Sequence, residues 1–160
     1  METPVPSRAK EALRSISVFF YAMVGGMLIF AIIVFALNLL EKPALEDESV
    51  TNIFLVVVLL IAAISLIVAT RIYPKRIAAA NVTGLTLMDK LNIYRAALIF
   101  YLALCEGAGL FAIIVYFLTG NKLFLIVVGV VLLAMLLKRP EKSKIFNELQ
   151  LSSQEQLELN

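Results

Sequence analysis

The chain has 160 residues, 61% of them apolar and 16% charged, with a formal net charge of +2 and a mean hydropathy of +0.94. Soluble domains are nearer half apolar and a quarter charged, so a water-soluble core of this size could not hide the surplus. The near-neutral balance leaves no basic, aromatic-interleaved surface for nucleic acid, and the absence of histidine removes the commonest metal ligand and acid–base group.

Four apolar runs, about 16–40, 53–70, 96–118 and 123–137, approach the ~20 residues that a bilayer crossing needs. They predict an all-α integral membrane fold of four transmembrane helices in a single membrane domain over 1–160. Before the first run, Ser7 is a candidate N-cap. The run is too long for a signal-peptide core and lacks an A-x-A site, so it is expected to remain as a helix. Glu41-Lys42-Pro43 then opens an acidic loop with Glu46, Asp47 and Glu48. The second run ends near Thr70-Arg71, where Tyr73-Pro74 argues against simple continuation of the helix. That leaves 71–95 as a connector, irregular over 75–85. Thr86 and Asp89 have capping-box spacing, so the third helix is expected to start near Leu87. Thr119-Gly120-Asn121 reads as a tight turn into the fourth run. Pro140 opens a tail over 138–160, with an amphipathic stretch at Ile145, Phe146 and Leu149 and a second capping box at Ser152 and Glu155.

Orientation follows from the basic residues. Of 14, only Lys42 and Lys122 lie in the first and third loops; the rest border the N-terminal arm, the middle connector and the tail. The positive-inside rule makes that side cytoplasmic, with both termini inside. The Asn81-Val82-Thr83 sequon would then escape glycosylation.

A shift of 81 positions aligns Arg14 with Arg95, Phe19 with Phe100, Ala22 with Ala103, Gly26 with Gly107, and Phe30-Ala-Ile-Ile-Val34 with Phe111-Ala-Ile-Ile-Val115. Spans two and four also begin alike. The pattern predicts two parallel helical-hairpin repeats, against the plainer reading of convergent span composition. Small residues let helix backbones approach where lipid supplies no hydrophobic drive. Ala22, Gly25, Gly26, Ala103, Gly107 and Gly109, with Ala108, are therefore the expected packing positions, with homodimer contact as the competing use.

Glu106 is the only acid within a span. It lies eleven residues beyond Arg95 and thirteen before Thr119. An ionised acid at such depth costs about 2–3 kcal/mol on insertion scales unless it finds partners or takes a proton. It is thus a candidate proton or cation site or a polar contact to another subunit, against a protonated carboxyl bonded within its own bundle. Arg95 shares its helical face but sits ~16 Å away along the axis. Arg14, Arg95, Tyr73 and Tyr94 are read as anchors at the cytoplasmic interface, and Tyr116 as one at the opposite interface. Cys105 reads as a small apolar residue. The tail cations are read as a solvated face, with anionic-lipid binding as the minor alternative.

No nucleotide-binding loop, HExxH or nucleophile elbow is present, so neither catalytic chemistry nor a cofactor or metal is expected. Ala103-Leu-Cys-Glu106-Gly-Ala-Gly-Leu-Phe111 invites comparison with the carboxylate helix of rotary-ATPase ring proteolipids. Those rings have glycine-rich inner helices and, in the duplicated form, an acid in the last span; here the first span is bulky and the acid is in the third. Glu106-Gly, Leu110-Phe111, Thr119-Gly-Asn121 and Arg139-Pro140 instead resemble a group of small four-span bacterial proteins without assigned function. That resemblance covers Lys90 to Leu151 and implies the bacterial inner membrane. The functional expectation is a structural or accessory subunit, embedded in the lipid bilayer as a homo-oligomer or with other membrane subunits. The alternative is a small transporter or channel using Glu106.

Overall fold

The computed structural model describes residues 8–40, 43–45, 47–82 and 84–159, except for the side chains of Arg8 and Glu158. The expected Ser7 cap and three members of the acidic loop, Glu41, Lys42 and Glu46, lie outside the described residues. Those described form helices and their connections: α1 (Arg8–Leu40), α2 (Glu48–Ala78), a 3-10 turn at Ala79–Asn81, α3 (Leu87–Thr119), α4 (Leu123–Leu137), α5 (Lys142–Glu148) and α6 (Ser153–Leu159).

Three of these helices, α1, α2 and α3, are long and apolar enough to cross a membrane, and a fourth crossing is present if α4 and α5 count as one bent span. Large apolar side chains such as Val18, Ile32, Ile53 and Ile67 stand exposed around α1 and α2. A helix apolar on all sides is at home in lipid rather than water. The helices mark a membrane protein. α4 matches its expected bounds but has only 15 residues, about 22 Å. α5 turns away from it at 73°, across a break that holds Pro140.

α3 is the centre of the bundle. It packs against α1, α2 and α4, whereas α1 and α2 scarcely touch each other. The α1 seam is Leu13, Ile16, Phe20, Met27 and Val34, with steps of three, four or seven residues that keep one face inward. Under the 81-residue shift these positions fall on Tyr94, Ala97, Tyr101, Ala108 and Val115, all of them buried too. The two helices therefore bury corresponding faces. Their hairpin partners differ, because α4 folds back onto α3 while α2 leaves α1 and packs on α3.

The sequence expectation at Pro74 is corrected. α2 runs through the proline to Ala78 and passes directly into the 3-10 turn, so among the described residues only Val82 and 84–86 lie outside helix between α2 and α3. Proline removes one backbone donor, but the buried stripe Ala69, Tyr73, Ile77 and Ala80 continues across it. Keeping that stripe against α3 outweighs one missing bond. Just upstream, the Thr70 hydroxyl donates to Leu66 O at 2.7 Å and Ile67 O at 3.0 Å.

The two expected capping boxes form. Thr86 and Asp89 exchange the reciprocal bonds of a capping box at the start of α3, and Ser152 and Glu155 do so ahead of α6. Asp47 caps α2. At the far end of α3, Gly120 takes a left-handed φ of 65°, which glycine adopts without a Cβ penalty. That end is tied down by Asn38 Nδ2 donating to Tyr116 O at 2.9 Å and Leu45 N donating to Leu118 O at 2.9 Å.

Candidate functional site

The basic end is the most elaborate part of the molecule. α5 and α6 fold back so that Ile145, Leu149, Leu151 and Leu159 are buried. Glu148 is the pin: its carboxylate accepts from the Tyr73 hydroxyl at 2.5 Å, and its backbone carbonyl accepts from Asn81 Nδ2 at 3.1 Å. Lys90 donates to Glu155 at 2.7 Å, holding α6 to the start of α3. This hydrogen bond, reinforced by Ser152, keeps the Glu155 carboxyl below its ordinary range. The Lys138 ammonium lies 4.2 Å from the centre of the Tyr73 ring, and Tyr73 meets Tyr101 edge-on at 5.8 Å. A cleft of about 260 Å³ is lined by Tyr73, Tyr94, Lys138, Arg139, Lys144 and Glu148 together with Leu137.

Tyr73 and Tyr94, expected as interfacial anchors, are only 4% and 2% exposed and pack within the bundle rather than facing outward. Tyr116 is likewise buried. An aromatic ring with a polar tip suits an interface, but it also suits a core position whose hydroxyl finds a protein acceptor. Tyr73 finds Glu148, and Tyr101 donates to Ala134 O at 3.2 Å. Arg95 packs its guanidinium 4.5 Å from the centre of the Phe19 ring on α1, and Arg76 lies 4.1 Å from that of Phe100 on α3. The two phenylalanines aligned by the shift thus each carry an arginine from a neighbouring helix. Arg14 is exposed.

Small-residue packing also differs from expectation. Ala22, Gly26, Ala103 and Gly107 are exposed and Gly25 is half-buried; a Cβ at Gly25, Gly26 or Gly107 would meet no neighbouring element within 4 Å. Helices α1 and α3 do not cross there. The close approach is at Gly109, where a Cβ would run into the Met27 side chain, with Val131 of α4 just beyond. Met27 is fully buried, and it reaches into space that only a glycine leaves open.

Glu106 is half-buried on α3, and no hydrogen bond or ion pair reaches its carboxyl among the described residues. The expected alternative of a carboxyl bonded within its own bundle has no bond to support it among the described residues. Among the described residues there is no group of three metal-ligating side chains, and Cys105 is buried and unpaired.

Sequence reasoning singled out Glu106, Arg14 and Arg95, yet it missed Glu148 and Lys138, which the fold brings to Tyr73. Their signal was faint: Glu148 adjoins the apolar pattern Ile145, Phe146, Leu149, so it was open to being read as the solvated side of a short amphipathic helix. Comparison with known proteins finds no matching family model, no similar curated protein and no similar solved structure.

Proposed function

We propose that this chain is a structural or accessory subunit of a bacterial inner-membrane assembly. It crosses the bilayer four times with both termini cytoplasmic, and it associates with copies of itself or with other membrane subunits. The observation that carries this reading is the open small-residue surface: Ala22 and Gly26 on α1, and Ala103 and Gly107 on α3, are exposed with no neighbouring element against the glycines. In lipid, such surfaces are where another helix backbone can come close. Glu106, next to Gly107 and without a partner among the described residues, offers a polar bond to that neighbour. The reading includes no catalytic chemistry, metal or cofactor.

The orientation rests on the positive-inside distribution, and the bacterial inner membrane on the resemblance of the Glu106-Gly and Arg139-Pro140 region to small four-span proteins. Duplication of a hairpin, with parallel copies about an axis along the membrane normal, draws support from the matching buried faces of α1 and α3 and the paired arginine–phenylalanine contacts. A photo-crosslinking amino acid at Ala22 or Ala103, activated in native membranes, tests the association. Protein adducts at both positions, and only lipid adducts at the exposed Leu60, are expected. Lipid adducts alone at all three positions would remove the subunit reading.

A second reading, a small transporter or channel, is favoured by the same unpartnered carboxyl. An intramembrane acid without a permanent ion pair is available to take a proton or a cation. Flux into proteoliposomes distinguishes it from the first.

A further inference from the structure

At the basic end, beside α1, lies a cavity of about 270 Å³ walled by Lys10, Arg14 and Ser17 of α1 and by Lys142 of α5. Its floor is apolar, made by Leu13, Ile145 and Leu159, all of them buried. We propose that this cavity binds the phosphate-bearing headgroup of an anionic lipid.

Three features converge on that ligand. First, the described lining residues include the exposed cations Arg14 and Lys142 and no acid, a composition that concentrates a phosphate, while Lys10 beside them is already engaged in a contact of its own. Second, Lys10, Arg14 and Ser17 are spaced by four and three residues, which places them on one face of α1, and the exposed Tyr21 follows four residues further along that face. The ladder leads from the charged start of α1 into its apolar stretch, the direction in which a lipid passes from headgroup to chains. Third, the Lys142 ammonium donates to Leu159 O at 3.2 Å, which fixes its position at the mouth while leaving two of its three protons for a ligand. Arg14 supplies the planar, multi-donor group that suits phosphate oxygens. The apolar floor disfavours a fully hydrated ion and suits the glycerol end of a lipid.

The test uses the full chain in nanodiscs. Competition of phosphatidylglycerol against phosphatidylcholine for the bound position, read by native mass spectrometry, is expected to show one retained phosphatidylglycerol. A juxtamembrane cation contributes roughly a fivefold factor in affinity for anionic lipid. Arg14→Gln and Lys142→Gln should each weaken retention by about that factor, and the pair by roughly twenty-five-fold. Ser17→Phe, which fills the cavity without altering charge, should abolish retention with the melting temperature preserved. Lys75→Gln, at an exposed position outside the cavity, should leave it intact. Equal weakening by Lys75→Gln would show diffuse surface attraction and overturn the site. So would undiminished retention in Ser17→Phe, or equal retention of phosphatidylcholine. Displacement of the lipid by millimolar inorganic phosphate would make soluble phosphate the ligand and overturn the lipid assignment.

Discussion

The Tyr73 hydroxyl donates to Glu148 at 2.5 Å, joining the end of α2 to α5 across 75 residues of chain. Around this bond Asn81 holds the Glu148 carbonyl and Lys138 covers the Tyr73 ring. The tail is therefore docked on the bundle through a specific polar contact at the rim of its apolar contacts.

Removing the hydroxyl tests how much that contact matters. Hydrogen bonds to charged groups contribute about 1.5–3 kcal/mol. Tyr73→Phe is expected to destabilise the tail by about 2 kcal/mol and to speed proteolysis within 138–160, with far-ultraviolet helix content nearly unchanged. In a double-mutant cycle with Glu148→Gln, the two changes should be clearly less than additive, because each breaks the same bond.

Acid should loosen the same tail at its other attachment. Glu155 has its folded-state pKa lowered, chiefly by the Lys90 hydrogen bond. The stabilisation is fully present above the ordinary carboxyl pKa of about 4.3 and is lost as the pH falls through the lower folded value. Proteolysis by an acid-active protease between pH 6 and 3 should show the tail opening at the acidic end. Lys90→Met should flatten that dependence, with a weaker tail attachment already at pH 6.

The glycines separate internal packing from external contact. Gly109→Leu would force atoms into the fully buried Met27, and overpacking of this kind typically costs 1–3 kcal/mol. Its melting temperature in detergent should fall. Gly26→Leu and Gly107→Leu should leave the melting temperature of the isolated chain nearly unchanged, since among the described residues no neighbouring element comes within 4 Å of a Cβ at either position. Losses of equal size at all three positions would contradict the observed crossing.

Much of this was legible in the residues themselves. Run lengths and basic flanks locate α1, α3 and α4, and the Thr86–Asp89 and Ser152–Glu155 pairs mark two helix starts because capping is local chemistry. Pro74 misled because a proline's effect depends on whether neighbouring packing holds the helix, which is tertiary information. Gly26 and Gly107 misled for a related reason: small residues permit close approach, but whether the neighbour comes from the same chain is not written in their spacing. Glu148 was hidden because its role depends on Tyr73, far away in sequence.

Topology has a direct check. In a Cys105→Ser background, cysteines placed at the exposed Ser49, Ala79 and Ser153 report sidedness to an impermeant thiol reagent in intact cells. Ser49→Cys should label, while Ala79→Cys and Ser153→Cys should label only after permeabilisation, as the positive-inside rule requires. The reverse pattern would invert the protein.

Glu106 divides the two functional readings, and its lack of a partner among the described residues sharpens the division. No bond to a described residue is lost when the carboxyl is replaced, so Glu106→Leu should leave the isolated chain as stable as before, or slightly more so as a costly buried polar group disappears. If the carboxyl bonds a neighbouring subunit, Glu106→Leu should weaken association by about 1–2 kcal/mol, the range of interhelical bonds in model peptides. Glu106→Gln, which can still donate and accept, should retain most of it. If the carboxyl carries a proton or a cation, glutamine fails as completely as leucine, and aspartate keeps partial flux. Crosslinking yield at Ala103, melting temperature and proteoliposome flux on all three variants and the unchanged chain decide the matter. The subunit reading expects association to separate leucine from glutamine with no flux in any sample. Flux in the unchanged chain that vanishes in Glu106→Gln, with melting temperature preserved, would instead establish the transport reading.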